Sequence, residues 1–357
     1  MRFTPQFSKP RPLSVETLTC TRLTPSNKIR TRGSQPRFLL CLCSALLISF
    51  TAVLAHAQDY TSIVVFGDSL SDTGNFADLT QAKYGVRIPG PEVDYTDGRF
   101  TDGDDTLPAA QNYFGVWIEQ FAATLPSKPL IKNSLDGGTN YAYGDAKNGN
   151  GTATVNFGSS NPLSVNVNNI GQQVTDYLAT SPGINNKTLF AIWGGSNDII
   201  DATSADDVIT AAIDQLINIQ RLIDAGATQF IVPNLPPIGL TPLLIGTPAS
   251  IPATAASALY NQALTTGLFV LRDLNREKHL HFVQLDVFSL FNQIVASPTK
   301  YSLTNVTASA QGIATIDPDT FLFWDDLHPT TRGHNILAVT AASAIAASEC
   351  KAATCSR

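Results

Sequence analysis

Four short apolar runs punctuate the chain, at 62–66, 188–193, 229–233 and 281–285, each closed by polar residues or by Gly and Pro. Runs of this length and bordering predict strands buried on both faces, as in a parallel sheet. Helical periodicity fills the gaps between the last three. Over 206–225, Ile209, Ile213, Leu216, Ile219 and Ile223 recur at spacings of three and four, which predicts one buried stripe, with Gly226 as the stop. Over 253–278, Ala256, Leu259, Ala263, Gly267, Val270 and Leu274 predict a second stripe, and a last helix is expected over about 331–347. Strands alternating with helices predict βαβ units and the α/β class. Residues 78–170 contrast with this. Gly, Asn, Asp and Thr are frequent and periodicity is weak, so one helix is expected near 113–123 and long loops over the strand ends elsewhere.

The first 57 residues belong to another chemistry. They hold eight Lys and Arg against one acid, Glu16, then an apolar stretch from Phe38, then Ala55-His56-Ala57. A basic segment, an apolar core and a small-residue site predict a secretory signal peptide cut after Ala57, with an uncleaved anchor as the alternative. Residues 58–357 are then expected to form one domain, secreted to the extracellular or periplasmic space, with no stable membrane insertion. Loss of the leader moves the net charge from −6 to about −13. A balance this acidic argues against nucleic acid as a partner, since that needs a basic face. Cys20, Cys41 and Cys43 leave with the leader. Cys350 and Cys355 remain, and in an exported chain they suggest one small disulfide, two free thiols being the alternative. His279 and His281 have no partner cluster with zinc spacing, so no metal site is expected.

Three blocks carry candidate chemistry. Gly67-Asp68-Ser69-Leu70 follows the first apolar run, Gly195-Ser196-Asn197-Asp198 follows the second, and Asp325-Asp326-Leu327-His328 precedes the last helix. A serine at the carboxyl end of a parallel strand lies where ligands bind in open α/β sheets. Together the blocks resemble the GDSL lipases and esterases of the SGNH hydrolase superfamily, from about residue 62 to 347. That resemblance implies a three-layer α/β/α sandwich with a flavodoxin-like parallel sheet. It also implies a serine ester hydrolase that needs no cofactor.

Site roles follow from the resemblance. Ser69 is the expected nucleophile and His328 its base. The spacing Asp-x-x-His selects Asp325, rather than Asp326, as the carboxylate that orients His328. The oxyanion hole is expected from the Ser69 backbone N–H, the Asn197 side chain and the Gly144 backbone N–H. Gly144 lies in Asn140-Tyr141-Ala142-Tyr143-Gly144-Asp145-Ala146, where Asp145 departs from the family's usual small residue. An acid beside an oxyanion donor is unfavourable unless it points outward. Asp97-Gly98-Arg99-Phe100, Pro233-Asn234-Leu235-Pro236-Pro237 and Tyr260-Asn261-Gln262-Ala263-Leu264 match the family but are expected to be structural, as is His334. The expected substrate is a small-molecule, glycan or lipid ester. An acyltransferase using the same acyl-enzyme is an alternative, as is an inactive carbohydrate- or lipid-surface binder, although none of Ser69, Asn197, Asp325 and His328 is missing.

Overall fold

The structure, a computed structural model, describes residues 59–103, 113–157, 163–180, 183–313 and 315–355, with side chains as far as Glu349. In chain order the elements are β1 (Ser62–Gly67), α1 (Asn75–Tyr84), α2 (Trp117–Thr124), β2 (Thr152–Phe157), β3 (Leu163–Asn168) and α3 (Ile170–Ala179). Next come β4 (Thr188–Trp193), α4 (Ser196–Asp201), α5 (Ala205–Asp224), β5 (Gln229–Pro233), α6 (Ser250–Leu274) and β6 (His281–Leu285). The chain continues through α7 (Val287–Ala296), β7 (Asn305–Ser309), β8 (Phe321–Phe323) and α8 (Thr331–Cys355). Cys350 and Cys355 lie beyond the last described side chain, so the expected disulfide falls outside the described residues.

The four runs read from the sequence form one parallel sheet in the order β1-β4-β5-β6. Residues 139–143 run beside the free edge of β1, bonded through Val65 N to Thr139 O at 3.0 Å and Tyr141 N to Val65 O at 2.8 Å. Taking that segment as second in the chain, the order is 2-1-3-4-5, the flavodoxin-like arrangement. Alternation along each strand makes the layers. Ile63, Val65, Leu189, Ala191, Trp193, Ile231, Val283 and Leu285 face one core with α2, α7 and α8. Val64, Phe66, Phe190, Ile192, Phe230, Val232 and Phe282 face the other with α3, α5 and α6. The α/β/α sandwich therefore follows from period-two side-chain direction on strands buried twice.

Two expectations need correction. The stripes on the long helices are rotated from those predicted. On α5, Ile209 and Ile213 are exposed, and the buried face is Val208, Ala211, Ala212, Gln215, Asn218, Ile219, Leu222 and Ile223. On α6, Val270 and Leu274 are exposed, while Ser257, Tyr260, Asn261, Leu264, Leu268 and Leu271 are buried. The physical reason is that polar residues occupy the inner face, among them Asn218, Tyr260 and Asn261, which make bonds there, and a count of aliphatic positions misses them. Residues 78–170 also contain more than loops and one helix. A β2–β3 hairpin buries Val155, Val165 and Val167 against Phe76 of α1 and Tyr143. Neither α1, α3 nor α7 was legible as a helix.

Candidate active site

The carboxyl ends of β1, β4, β5 and β6 line up, with Gly67 opposite Trp193 and Pro233 opposite Leu285. The turns that leave them therefore share one rim. Gly67 is required at the end of β1, because a Cβ there would lie 2.7 Å from the Trp193 carbonyl oxygen. Its backbone is clamped by Gln173 of α3, whose Oε1 accepts from Gly67 N at 3.0 Å and whose Nε2 donates to Gly67 O at 2.9 Å.

Ser69 follows in a tight turn. Ser71 N and Asp72 N both donate to Asp68 O at 3.0 Å, and Leu70 N donates to Asp68 Oδ1 at 3.0 Å. Asp72 anchors the start of α1, accepting from Gly74 N (2.8 Å), Asn75 N (2.8 Å) and Phe76 N (3.1 Å). Asp68 and Asp72 are both buried, and burial pushes their carboxyls up to about 7 and about 6. Ser69 is itself 7% exposed and turns its hydroxyl to the rim.

His328 meets it there, with Nε2 2.8 Å from Ser69 Oγ. Its Nδ1 lies 2.7 Å from Asp325 Oδ2. The other oxygen, Asp325 Oδ1, accepts from Leu327 N at 2.7 Å and His328 N at 2.6 Å, which fixes the Asp-x-x-His turn. Asp326 faces away, exposed, accepting from Ser309 Oγ at 3.1 Å. The geometry thus brings Asp325, not Asp326, to the imidazole. Burial alone would raise the Asp325 carboxyl, but the His328 charge and these hydrogen bonds hold it well below the usual carboxylate range. For His328, burial works downward, and the Asp325 charge and bond outweigh it, with smaller help from Asp68 and Asp145. The net direction is up.

Tyr95 joins this set without having been singled out in the sequence. Its hydroxyl donates to Asp325 Oδ2 at 2.7 Å, the same oxygen that faces His328. Burial first, then the Asp325 charge, push the phenol above its ordinary range, so it stays protonated and able to donate. Five residues on, Phe100 lies against the imidazole, with ring centroids 5.1 Å apart. Thr101 and Asp102 tie the same segment to the base side. Thr101 Oγ1 donates to Pro329 O at 2.9 Å, and Asp102 Oδ1 accepts from Thr331 N at 2.5 Å. The block around 97–100 is thus a wall of the site as well as a structural piece.

The expected oxyanion donors are placed unequally. Asn197 is buried at the start of α4 and donates one amide hydrogen to Ala146 O at 3.0 Å. An amide NH2 has a second hydrogen to offer. The Ser69 N–H has no hydrogen-bond acceptor among the described residues. Gly144 departs from expectation, because its N–H is engaged by Asp72 Oδ2 at 2.9 Å. The next residue, Asp145, has φ 65, and its N–H has no acceptor among the described residues. The Asp145 side chain is exposed.

Two family-matching pieces act as braces. Tyr260 OH donates to Gly194 O at 2.9 Å, and its ring fills the space that a Cβ on Gly195 (φ +110) would enter. Asn261 clamps Leu235, accepting from its N at 2.8 Å and donating to its O at 2.8 Å. The rim turns after β4 and β5 are thereby held from α6. His334 is fully buried, lowered to about 3 by burial, and accepts from Trp117 N at 3.1 Å, so it caps α2. His281 Nδ1 lies 3.1 Å from Gln229 Oε1, and no group of three or more His, Cys, Asp or Glu side chains suited to a metal occurs among the described residues.

A family model for GDSL-like Lipase/Acylhydrolase matches residues 63–339. Among curated proteins, the chain is similar to a GDSL esterase/lipase of Arabidopsis thaliana, 25% identical over 84% of this chain and 92% of that protein. It is similar to the phosphatidylcholine-sterol acyltransferase of Aeromonas hydrophila, 25% identical over 87% of this chain and 97% of that one. It also resembles Esterase EstA of Pseudomonas aeruginosa, 27% identical over 85% of this chain, and spans only about half of that protein's length (49%).

Proposed function

This chain belongs to the GDSL-like lipase/acylhydrolase family, and from that premise we propose that it hydrolyses carboxylic esters through an acyl-serine on Ser69. The observation that carries the mechanism is the Ser69–His328–Asp325 chain, with links of 2.8 and 2.7 Å. A free serine is a poor nucleophile and needs a base within this reach. Ser69 Oγ attacks the ester carbonyl carbon as its proton passes to His328 Nε2. The charge on imidazolium is held by Asp325, which the His328 charge and the bonds from His328 and Leu327 keep ionised and to which Tyr95 also donates. The tetrahedral oxyanion is met by the Ser69 N–H, the second Asn197 amide hydrogen and the Asp145 N–H, which replaces Gly144 in that role. Collapse expels the alcohol, which takes the proton from His328. Water then repeats the sequence and releases the acid.

The leader pattern of residues 1–57 supports export, and with it an extracellular or periplasmic ester as substrate. No helix among the described residues is long and apolar enough to cross a membrane. Similarity to an acyltransferase supports a second outcome, in which an alcohol replaces water in the last step. The test is turnover of p-nitrophenyl esters with and without an added alcohol acceptor, together with a serine-directed phosphonate. Modification of Ser69 alone, with an inert Ser69→Ala, supports the mechanism. Labelling of another serine while Ser69 stays untouched rejects it.

A further inference from the structure

A narrow pocket begins at Ser69, His328 and Asn197 and runs into the core on the α7–α8 side of the sheet. Its polar residues cluster at the mouth. Beyond them the lining is Val287, Leu290, Phe291 and Ile294 of α7, with Leu322 of β8 and Leu337 of α8. The four α7 positions fall at i, i+3, i+4 and i+7, one continuous face of the helix. Because α7 follows β6, it runs back from the rim along the sheet. Val287 is therefore near the mouth and Ile294 deep. Thr241 also lines the pocket, but its hydroxyl already donates to Ile238 O at 2.8 Å, so the inner part offers no free polar group of its own.

Two buried polar atoms in the wall have no partner among the described residues: Trp193 Nε1 and Ser196 Oγ. Their residues, 2% and 7% exposed, flank Asn197 or end the strand before it, at the polar end of the pocket. Buried donors left unpaired are costly, which suits a site completed by an oxygen-bearing group. The apolar slot that continues from them is a cavity of about 50 Å³ walled by aliphatic and aromatic side chains.

We propose that this slot holds the acyl chain of a straight-chain ester, so that the substrate class is a medium-chain acyl ester rather than an acetyl ester. This rests on Ser69 being the nucleophile at its mouth. The α7 face from Val287 to Ile294 is about 10 Å long at about 1.5 Å per residue, the span of an extended chain of about eight carbons. Each methylene that enters should raise kcat/KM by up to about fourfold, the equivalent of about 0.8 kcal/mol per buried CH2. The gain should stop when the chain outgrows the slot.

The experiment is a p-nitrophenyl ester series from acetate to hexadecanoate on the wild type, Ile294→Phe and Ile294→Ala, with decanoate binding measured by calorimetry on Ser69→Ala. The wild type should peak near the octanoate ester. In Ile294→Phe the octanoate-to-acetate ratio of kcat/KM should fall at least 30-fold, and in Ile294→Ala the optimum should move to longer chains. Decanoate should bind Ser69→Ala and lose that binding when Ile294→Phe is added. Should Ile294→Phe fail to fold, the opposite shift in Ile294→Ala still decides. A flat chain-length profile, or ratios unchanged in both variants, overturns the slot while leaving ester hydrolysis intact. Decanoate binding that depends on Ile294, with no ester turned over, supports the slot and rejects the catalytic reading.

Discussion

The two halves of the candidate site are held in different ways. On the nucleophile side, backbone groups do the fixing. Asp72 alone collects four N–H groups, from Gly74, Asn75, Phe76 and Gly144. Asn140 Nδ2 donates to Ser71 O at 2.7 Å, and Gln173 clamps Gly67. The base side is held from a distant loop instead. Tyr95, Phe100, Thr101 and Asp102 reach His328, Asp325, Pro329 and Thr331, about 230 positions further on. The first half is a rigid seat. The second is an electrostatic setting, in which the charge state of one imidazole is balanced by the groups around it.

This contrast can be broken from either side. Ser69→Ala should cost the most, about 10⁶ in kcat, as loss of a nucleophile does in a serine hydrolase. Steady-state turnover of one soluble ester measures it, and the fold should stay unchanged by circular dichroism. Asp325→Asn should come next, at about 10⁴, since it leaves the imidazole in the wrong tautomer. Asp326→Asn, on an exposed side chain bonded to Ser309, should cost less than tenfold in the same assay. Equal losses in the two variants would undo the assignment of the carboxylate.

Asn197→Ala should lower kcat by about 10²–10³ with little change in KM, as the loss of a donor used only in the transition state requires. Tyr95→Phe sharpens the comparison most. Removing a hydrogen bond to a charged group should cost about 10- to 100-fold in kcat/KM. It should also move the pH profile. His328 must be neutral to act as base, and its pKa is raised above the ordinary value of about 6.5, so activity rises with pH through a limb lying above that value. Without the phenol, Asp325 pulls harder on the imidazolium, and the limb should shift upward. A merely structural Tyr95 would lower the rate and leave the limb in place. The smallest effect is expected for Asp145→Asn. That carboxylate raises His328 from a distance, so its loss should lower the limb slightly, and less in high salt.

The sequence was most informative where one rule acted alone. All four runs lie in the parallel sheet, because an apolar segment buried on both faces has little competing reading. The Ser69, Asn197 and Asp325–His328 blocks were placed by motif, and the fold brings all three to one rim. What escaped has a common cause. Tyr95 lies in a Gly- and Asp-rich loop 230 positions from Asp325, and nothing local marks that pairing. The inner faces of α5 and α6 were misjudged because Gln215, Ser257, Tyr260 and Asn261 are buried polar residues, whereas Ile213, Val270 and Leu274 face outward. Gly144 was chosen by motif, and only the position of Asp72 reveals that its N–H is already engaged.

Ser69 and His328 stand 259 positions apart, one after the first strand and the other before the last helix. The hydroxyl and its base therefore meet only after nearly the entire domain has been synthesised and the sheet between them has closed. A chain that ends short of His328 lacks one member of the pair, so an incomplete domain is inert by topology alone. For the same reason, ester turnover in this protein reports completed folding, and a chain cut anywhere between the two should regain it only when both fragments reassemble.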